Sequence, residues 1–345
     1  MSDQRSRHAL IVPIFIPNRG CPFLCIYCQQ EKITSETVSF PEAGLIRTRL
    51  DQAVQAPGFQ ADRDPEIAFY GGTFTNLAEV EIIALLEATR PYITRGLFKS
   101  IRVSTRPDTM DPHKLELLRR YAVRTVELGV QSLQDPVLRL CRRGYQASQV
   151  NMAVKQLKEF GFKVGIQLML GLPGDSEKGF LNTIQQVIDL QPDMVRLYPT
   201  LVLPGTELAE WYAQNRYQAL ELEPAVKLCA EAVKRLEAHN IPVIRIGLMS
   251  SPTLLQPGQI LAGPWHACFG FLVRSTLYHQ MIAAQLPKPG SYSIFNLRVA
   301  QKEIPLIRGY KNQGLRWIEE KTGSKIAAVI GDKSMAAGKI EVLTL

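Results

Sequence analysis

The sequence predicts an α/β fold: a strand–helix barrel, open or closed, followed by a small basic α+β unit. Three observations predict it. Short apolar runs recur at intervals of roughly 25–55 residues, each followed by a polar or glycine-rich turn and a helix-like pattern. The runs are rich in Val, Ile and Leu without strict alternation, as parallel strands buried on both faces require. The motifs with unusual chemistry stand at the C-terminal ends of those runs, where such folds carry their sites. At 345 residues the chain has room for about two domains. Its 46% hydrophobic and 21% charged content excludes a disordered chain. A formal net charge of +8 points to an anionic partner such as nucleic acid.

The expected strands are residues 9–17, 67–70, 101–105, 125–130, 164–170 and 194–200, with 241–248 as a further one. Between them, Leu77, Val80, Ile83, Leu85 and Leu86 have helical spacing. So do Val154, Leu157 and Phe160, with Gly161 as the C-cap. Ser176 opens a helix carrying Ile184 and Val187. Pro287, Pro289 and Gly290 mark a boundary. Beyond it, residues 291–345 hold nine Lys/Arg against five Asp/Glu, a net +4. Half the positive surplus of the chain lies there. The expected organisation is a barrel over 1–250, an irregular apolar connection over 251–290 and a basic C-terminal unit over 291–345.

Residues 1–17 make a poor secretory leader, because Asp3 sits in the would-be basic region and Pro13 and Pro17 break the apolar run. Residues 246–273 carry no charged side chain, yet Pro252, Pro257 and Pro264 make them a poor membrane helix. The expectation is a cytoplasmic protein with no membrane contact. In that reducing compartment clustered thiols hold metal more often than they form disulfides.

Directly after the first strand the sequence reads Asn18-Arg19-Gly20-Cys21-Pro22-Phe23-Leu24-Cys25-Ile26-Tyr27-Cys28. Three thiolates on one loop can converge on a soft metal centre. A structural zinc site wants four protein ligands, and no second cysteine pair or nearby histidine supplies the fourth. Iron–sulfur clusters are also held by thiolates, and three ligands on a four-iron cube leave one iron open. A zinc knuckle, or three unrelated cysteines, remains the alternative.

This loop resembles the signature of the radical S-adenosylmethionine (SAM) enzymes, with Tyr27 as the aromatic residue before the last cysteine. The resemblance implies a partial (β/α)6 barrel. It also implies that Cys21, Cys25 and Cys28 bind a [4Fe–4S] cluster whose open iron chelates SAM. Reduction of the cluster, by a protein such as flavodoxin or ferredoxin, then yields a 5′-deoxyadenosyl radical that abstracts hydrogen from substrate. Gly71-Gly72-Thr73-Phe74 ends the second strand, and adjacent glycines let backbone approach a ligand closely. It resembles the Gly-Gly-Glu segment that contacts the SAM amino group through carbonyls, with Thr73 in place of Glu.

Polar residues end the next strands: Ser104 the third, Gln131 the fourth, with Arg143 twelve residues on, while Gln167 lies within the fifth. Together they can line one pocket, where Arg143 suits a carboxylate. The run is similar to oxygen-independent coproporphyrinogen oxidase and, more closely, to the radical SAM domain of the Elongator catalytic subunit. By position, Gln131 and Arg143 match SAM-contacting residues of those groups. Ser104 and Gln167 stand where the porphyrin enzyme carries Glu and Asp. Pro199-Thr200-Leu201-Val202-Leu203-Pro204-Gly205-Thr206 also looks like both groups. The resemblance covers about residues 10–250 and excludes the acetyltransferase domain of Elongator.

In the C-terminal unit, Leu315, Ile318 and Ile326 are spaced for an amphipathic helix entering a strand, stopped by Thr322-Gly323. The plain reading is a helix–strand unit. The stretch also looks like half of a KH module, whose Gly-x-x-Gly loop clamps a single-stranded nucleic-acid backbone. Arg308, Gly309, Lys311 and Asn312 are then the nucleic-acid contacts, with Asn312 in place of the second glycine. Cys141, Cys229 and Cys268 are expected as buried structural thiols. The resulting expectation is a radical SAM enzyme acting on RNA, a tRNA base being one substrate. A small-metabolite substrate and a non-catalytic, metal-stabilised RNA-binding protein are the alternatives.

Overall fold

A computed structural model describes residues 10–35 and 40–344. Ala9 of the first expected strand and the leader reading over residues 1–9 lie outside them. Seven strands form one sheet in sequence order: β1 (Ile11–Phe15), β2 (Glu66–Tyr70), β3 (Ser100–Thr105), β4 (Val123–Gln131), β5 (Lys163–Leu170), β6 (Met194–Pro199) and β7 (Val243–Ile246). Every neighbouring pair is parallel. The first and last strands do not pair, so the barrel is open. The six expected strand–helix units are present, and the further strand closes the series as β7. β3 is buried at all six positions, which explains its lack of alternation.

The helices follow from local signals, with one shift. Helix Glu79–Thr94 buries Ile82, Leu85 and Leu86, whereas Val80 is 73% exposed. Val80 precedes Ile82 by two residues, about 200° round the helix, so it cannot share that face. Helix Ala147–Glu159 buries Val154 and Leu157 and is followed by Gly161 at φ +76°. The Ser176 hydroxyl accepts from Gly179 N–H at 3.0 Å and opens helix Glu177–Leu190, which buries Ile184 and Val187.

Beside that cap, burial pushes the Asp175 carboxyl up to about 6, although Ser176 N–H pulls it down. The unfolded value is about 3.9. The folded form therefore holds the proton more tightly, and its contribution to stability is complete below about pH 4 and lost as pH rises through about 6. Asp175→Asn should raise the unfolding midpoint at pH 8 by about 2–4 °C, partial exposure keeping the effect near 1 kcal/mol. At pH 4 the two midpoints should coincide; a constant difference across that range would refute the assignment.

By their contacts, residues up to Leu220 and Leu236–Pro264 form one unit, and Glu221–Arg235 with Trp265–Leu345 form another. The second unit contains a three-stranded sheet, ordered β10-β8-β9: β8 (Ile294–Ala300), β9 (Lys325–Asp332) and β10 (Ile340–Thr344). β9 is parallel to β8 and β10 antiparallel to it. Between β8 and β9 lie helix Ile304–Arg308, a short loop and helix Gln313–Thr322, which ends at Gly323 in the left-handed region. Ile318 is fully buried in the core of this unit.

Two expectations need correction. Residues 251–290 are not irregular throughout, since they contain helix Phe269–Ile282, which buries Phe269, Val273, Tyr278 and Ile282. Leu272, Leu277 and Met281 fill other positions round the same helix, so its period is hidden in the sequence. Cys141 and Cys229 are buried, but Cys268 is exposed, at the turn where its N–H donates to His266 Nδ1 at 3.0 Å. Among the described residues no helix is long and apolar enough to cross a membrane.

Candidate functional site

The cysteine loop leaves the C-terminal end of β1 and is shaped by its neighbours. Gly20, at φ +71°, lies so close to the next turn that a Cβ would stand 2.5 Å from the Thr73 carbonyl oxygen. A Cβ on Gly72 would stand 2.7 Å from the Ile16 carbonyl and closer still to that of Arg19. Thr73 N–H donates to the Arg19 carbonyl at 2.7 Å. Gln30 Oε1 accepts from Asn18 N–H at 2.7 Å and Gly72 N–H at 2.9 Å. Glycine at 72 is therefore required by the packing of two loops, where the sequence suggested approach to a ligand.

The three cysteines share a cavity of about 620 Å³ with Tyr27, Gly71, Gly72 and Thr73. Ser104, Gln131, Arg143 and Gln167 line the same cavity. All eleven expected cofactor and metal residues thus meet in one place, although they come from five strand ends. Each thiol has its own partner. Arg143 Nη1 donates to Cys25 Sγ at 3.0 Å, Cys21 Sγ meets Thr73 Oγ1 at 3.3 Å, and Cys28 Sγ reaches Asn18 Oδ1 at 3.8 Å. Burial pushes the Cys28 thiol up to about 12, and the charges of Cys25 and Cys21 add to that. Burial also raises Cys21, while the Thr73 hydroxyl opposes it. Thiolate ligation must therefore expel protons. Among the described residues no three His, Cys, Asp or Glu side chains are already gathered around a metal ion.

Arg143 is buried, and among the described residues no carboxylate partners it. Its Nη2 and Nε donate to the Tyr145 hydroxyl at 2.9 and 3.0 Å, and Nη2 also donates to the Gly129 carbonyl. Arg106, by contrast, is held by both oxygens of Asp108, at 2.9 and 2.8 Å. A buried guanidinium facing only hydroxyl, carbonyl and thiol wants an anion. Metal-bound thiolates and the carboxylate of SAM meet that need. Gln131 stands where β4 slips register against β5, at φ +70°. Such bulges re-aim side chains beside active sites. Its Oε1, like the Tyr27 hydroxyl, is buried without a hydrogen-bond partner. Each such orphan costs about 1–3 kcal/mol. Both side chains line the cavity, so they fit a polar cofactor there.

Ser104 and Gln167 behave differently, and so does Thr73. The Thr73 hydroxyl is engaged by Cys21. Gln167 Nε2 donates to Ser104 Oγ at 3.3 Å and to Glu127 Oε2 at 3.1 Å. Ser104 and Gln167 thus line the cavity while being bonded to its wall, as Thr73 is bonded to the cysteine loop. The wall itself was missed by sequence reasoning. Glu127, 1% exposed, accepts from Arg102 Nη1 at 2.7 Å and from the Tyr70 hydroxyl at 3.1 Å, and lies 2.9 Å from Arg196 Nε as an ion pair without hydrogen-bond geometry. Arg102 is shared with Glu66. The available signal was a charge at position 102, 127 and 196, each interrupting a buried apolar strand.

The second expected set lies on one loop of the C-terminal unit. Gly309 has φ +65°, and its Cβ would stand 2.9 Å from Gly314 N. Lys311 and Asn312 are both left-handed, a conformation Asn tolerates. Arg308 Nη1 donates to Asn312 Oδ1 at 3.4 Å, and Lys311 Nζ lies 5.4 Å from the Tyr310 ring centroid.

Comparison with known proteins agrees with this geometry. Residues 15–187 match the radical SAM superfamily, and 192–279 match the radical SAM C-terminal domain. The tRNA uridine(34) acetyltransferase of Methanocaldococcus infernus is 35% identical over 133 residues, which are 38% of this chain and 25% of that protein. Elongator complex protein 3 of Mus musculus is 30% identical, over 64% of this chain and 48% of its own length. The solved structure of archaeal Methanocaldococcus infernus Elp3 with an N-terminal deletion aligns with a TM-score of 0.58 at 22% identity. That alignment covers 80% of this chain and 63% of the other, and it is a likeness of fold. The chain thus spans a quarter to about half of these two curated relatives.

Proposed function

This chain belongs to the radical SAM superfamily, whose match over residues 15–187 takes in half of it, and from that premise we propose that it modifies RNA, a tRNA base being the target. It is a radical SAM enzyme, and its cofactors are a [4Fe–4S] cluster and SAM. In our reading Cys21, Cys25 and Cys28 hold the cluster. Tyr27, Gln131 and Arg143, with the backbone of Gly71, Gly72 and Thr73, hold SAM. When bound and reduced, that pair supplies a 5′-deoxyadenosyl radical able to take hydrogen from substrate.

The chain's own side chains have simpler tasks. Arg143 offsets the negative charge of thiolate and carboxylate, and its bonds to Tyr145 and Gly129 fix its direction before any ligand arrives. Thr73 and Gln30 keep the cysteine loop on its turn. The wall around Glu127 keeps the cavity rigid and limits water. The observation that carries the reading is the meeting of three thiols with an uncompensated guanidinium and two orphaned polar atoms in one cavity. Anaerobic reconstitution tests it: about four irons per chain are expected, and dithionite with SAM should yield 5′-deoxyadenosine. A preparation that binds a single zinc and forms no 5′-deoxyadenosine would refute it.

Three features support RNA as substrate. The last 55 residues carry net +4, the loop at Gly309 sets the Lys311 ammonium against the Tyr310 ring, and two relatives bear the names of tRNA-modifying and Elongator proteins. Electron delivery is assigned to a reducing protein of the flavodoxin or ferredoxin kind. RNA binding should weaken steeply with salt, and Lys311→Ala should lower the slope of log affinity against log salt by about 0.7–1. A flat salt response would favour a small metabolite instead.

A further inference from the structure

We propose that the β6–β7 edge of the cavity is an anion subsite, built by Arg196 and Arg245 with the hydroxyl of Tyr198. It would receive an oxyanion of the substrate, either a phosphate or a carboxylate. The proposal rests on the reading above only in taking this cavity as the place where substrate binds.

The first support is charge. Arg106, Arg143, Arg196 and Arg245 line the cavity, and among the described residues no Asp or Glu does so. Arg106 and Arg143 belong to the cysteine end. Arg196 and Arg245 remain, and guanidinium groups do not lose their charge in proteins.

The second support is register. Val195 pairs with Val243, but the next pair is Arg196 with Arg245, so the ladder skips Ile244. An unbroken parallel ladder would have set Arg196 beside Ile244. The bulge instead places two arginines side by side on neighbouring strands, with both lining the cavity. Like charges directly opposite each other destabilise a sheet. Their juxtaposition contributes nothing to folding and is relieved by an anion between them.

The third support is the state of the two side chains. Arg196 is oriented by Glu127, by Tyr198 OH at 3.2 Å from Nη1, and by the Tyr70 ring, whose centroid lies 4.6 Å from its guanidinium carbon. Its Nη2 also bonds the Tyr70 hydroxyl. Glu127 is already shared with Arg102. Arg245 has no carboxylate partner among the described residues. Its Nε donates to the Gly247 carbonyl at 3.0 Å, and the residue is exposed at the sheet edge. One anchored and one open cation, beside the Tyr198 hydroxyl, can hold an oxyanion from two sides, while the Tyr70 hydroxyl is committed to Glu127 and only orients Arg196.

The test is calorimetric titration of the reconstituted full chain at saturating SAM, with inorganic phosphate and separately with acetate. At least one anion should bind, and Arg245→Gln should weaken it about tenfold while Arg245→Lys retains part of the affinity. Stronger phosphate binding assigns a nucleotide-type group, and stronger acetate binding a carboxylic acid. Binding by neither anion, or affinity unchanged in Arg245→Gln, overturns the proposal. Iron content and 5′-deoxyadenosine are measured on the same sample. A failure of the cofactor reading would show there and not in the titration of the anion.

Discussion

Cys25→Ala should abolish both iron binding and SAM cleavage. Of the three proposed ligands Cys25 is the buried one, 8% exposed, and the thiol that Arg143 addresses. Its loss leaves two thiolates for a cluster that needs three from this loop, and it removes the group facing the buried guanidinium. Iron should fall from about four per chain to near none, and 5′-deoxyadenosine to the level given by dithionite and SAM alone. Cys141→Ala is the control. Cys141 packs in the same apolar cluster as Cys25, Tyr27 and Cys28, and burial pushes its thiol up to about 12, yet it does not line the cavity. That variant should keep its iron. If Cys25→Ala kept its cluster, or Cys141→Ala lost it, the ligand assignment would be wrong.

Glu127→Gln should destabilise the protein by about 3–5 kcal/mol, because it leaves buried charge without a counterion. Arg102 would retain Glu66, so the main loss falls on Arg196, whose other partners are the phenols of Tyr70 and Tyr198. The measurement is the urea midpoint of the anaerobic protein, compared at equal slope. Arg196→Met in the Glu127→Gln background should recover part of the loss, since it removes the orphaned charge. A change below about 1 kcal/mol would mean that solvent already reaches this wall and screens the pair.

The cysteine loop, the glycine turn, Gln131 and Arg143 were legible because their chemistry is unusual in residue type and spacing. Thiols at short intervals after a strand have few other uses, and a strand end followed by paired glycines identifies a tight turn. The seven strands were legible because parallel strands are apolar on both faces and stand out from their surroundings. Helix Phe269–Ile282 was not, because apolar residues all round a helix erase the period that would reveal it. The direction of Val80 was misjudged for a related reason: several nearby positions offered an apolar stripe, and only packing selects one.

What the sequence determined by itself was therefore the succession of strands, the cluster of three thiols and the polar residues at the strand ends. Those are local properties, set by side-chain type and short spacing. The tertiary structure alone decided which of the polar residues face a ligand and which face one another. Gln131 and Tyr27 keep unpartnered atoms at the cavity, whereas Gln167 is tied to Ser104 and to Glu127, both far from it in sequence. The same holds for Arg196 and Arg245, which lie side by side because one residue is skipped in the ladder between β6 and β7. A side chain's partner depends on register, and register is settled by packing of the whole sheet rather than by any one strand.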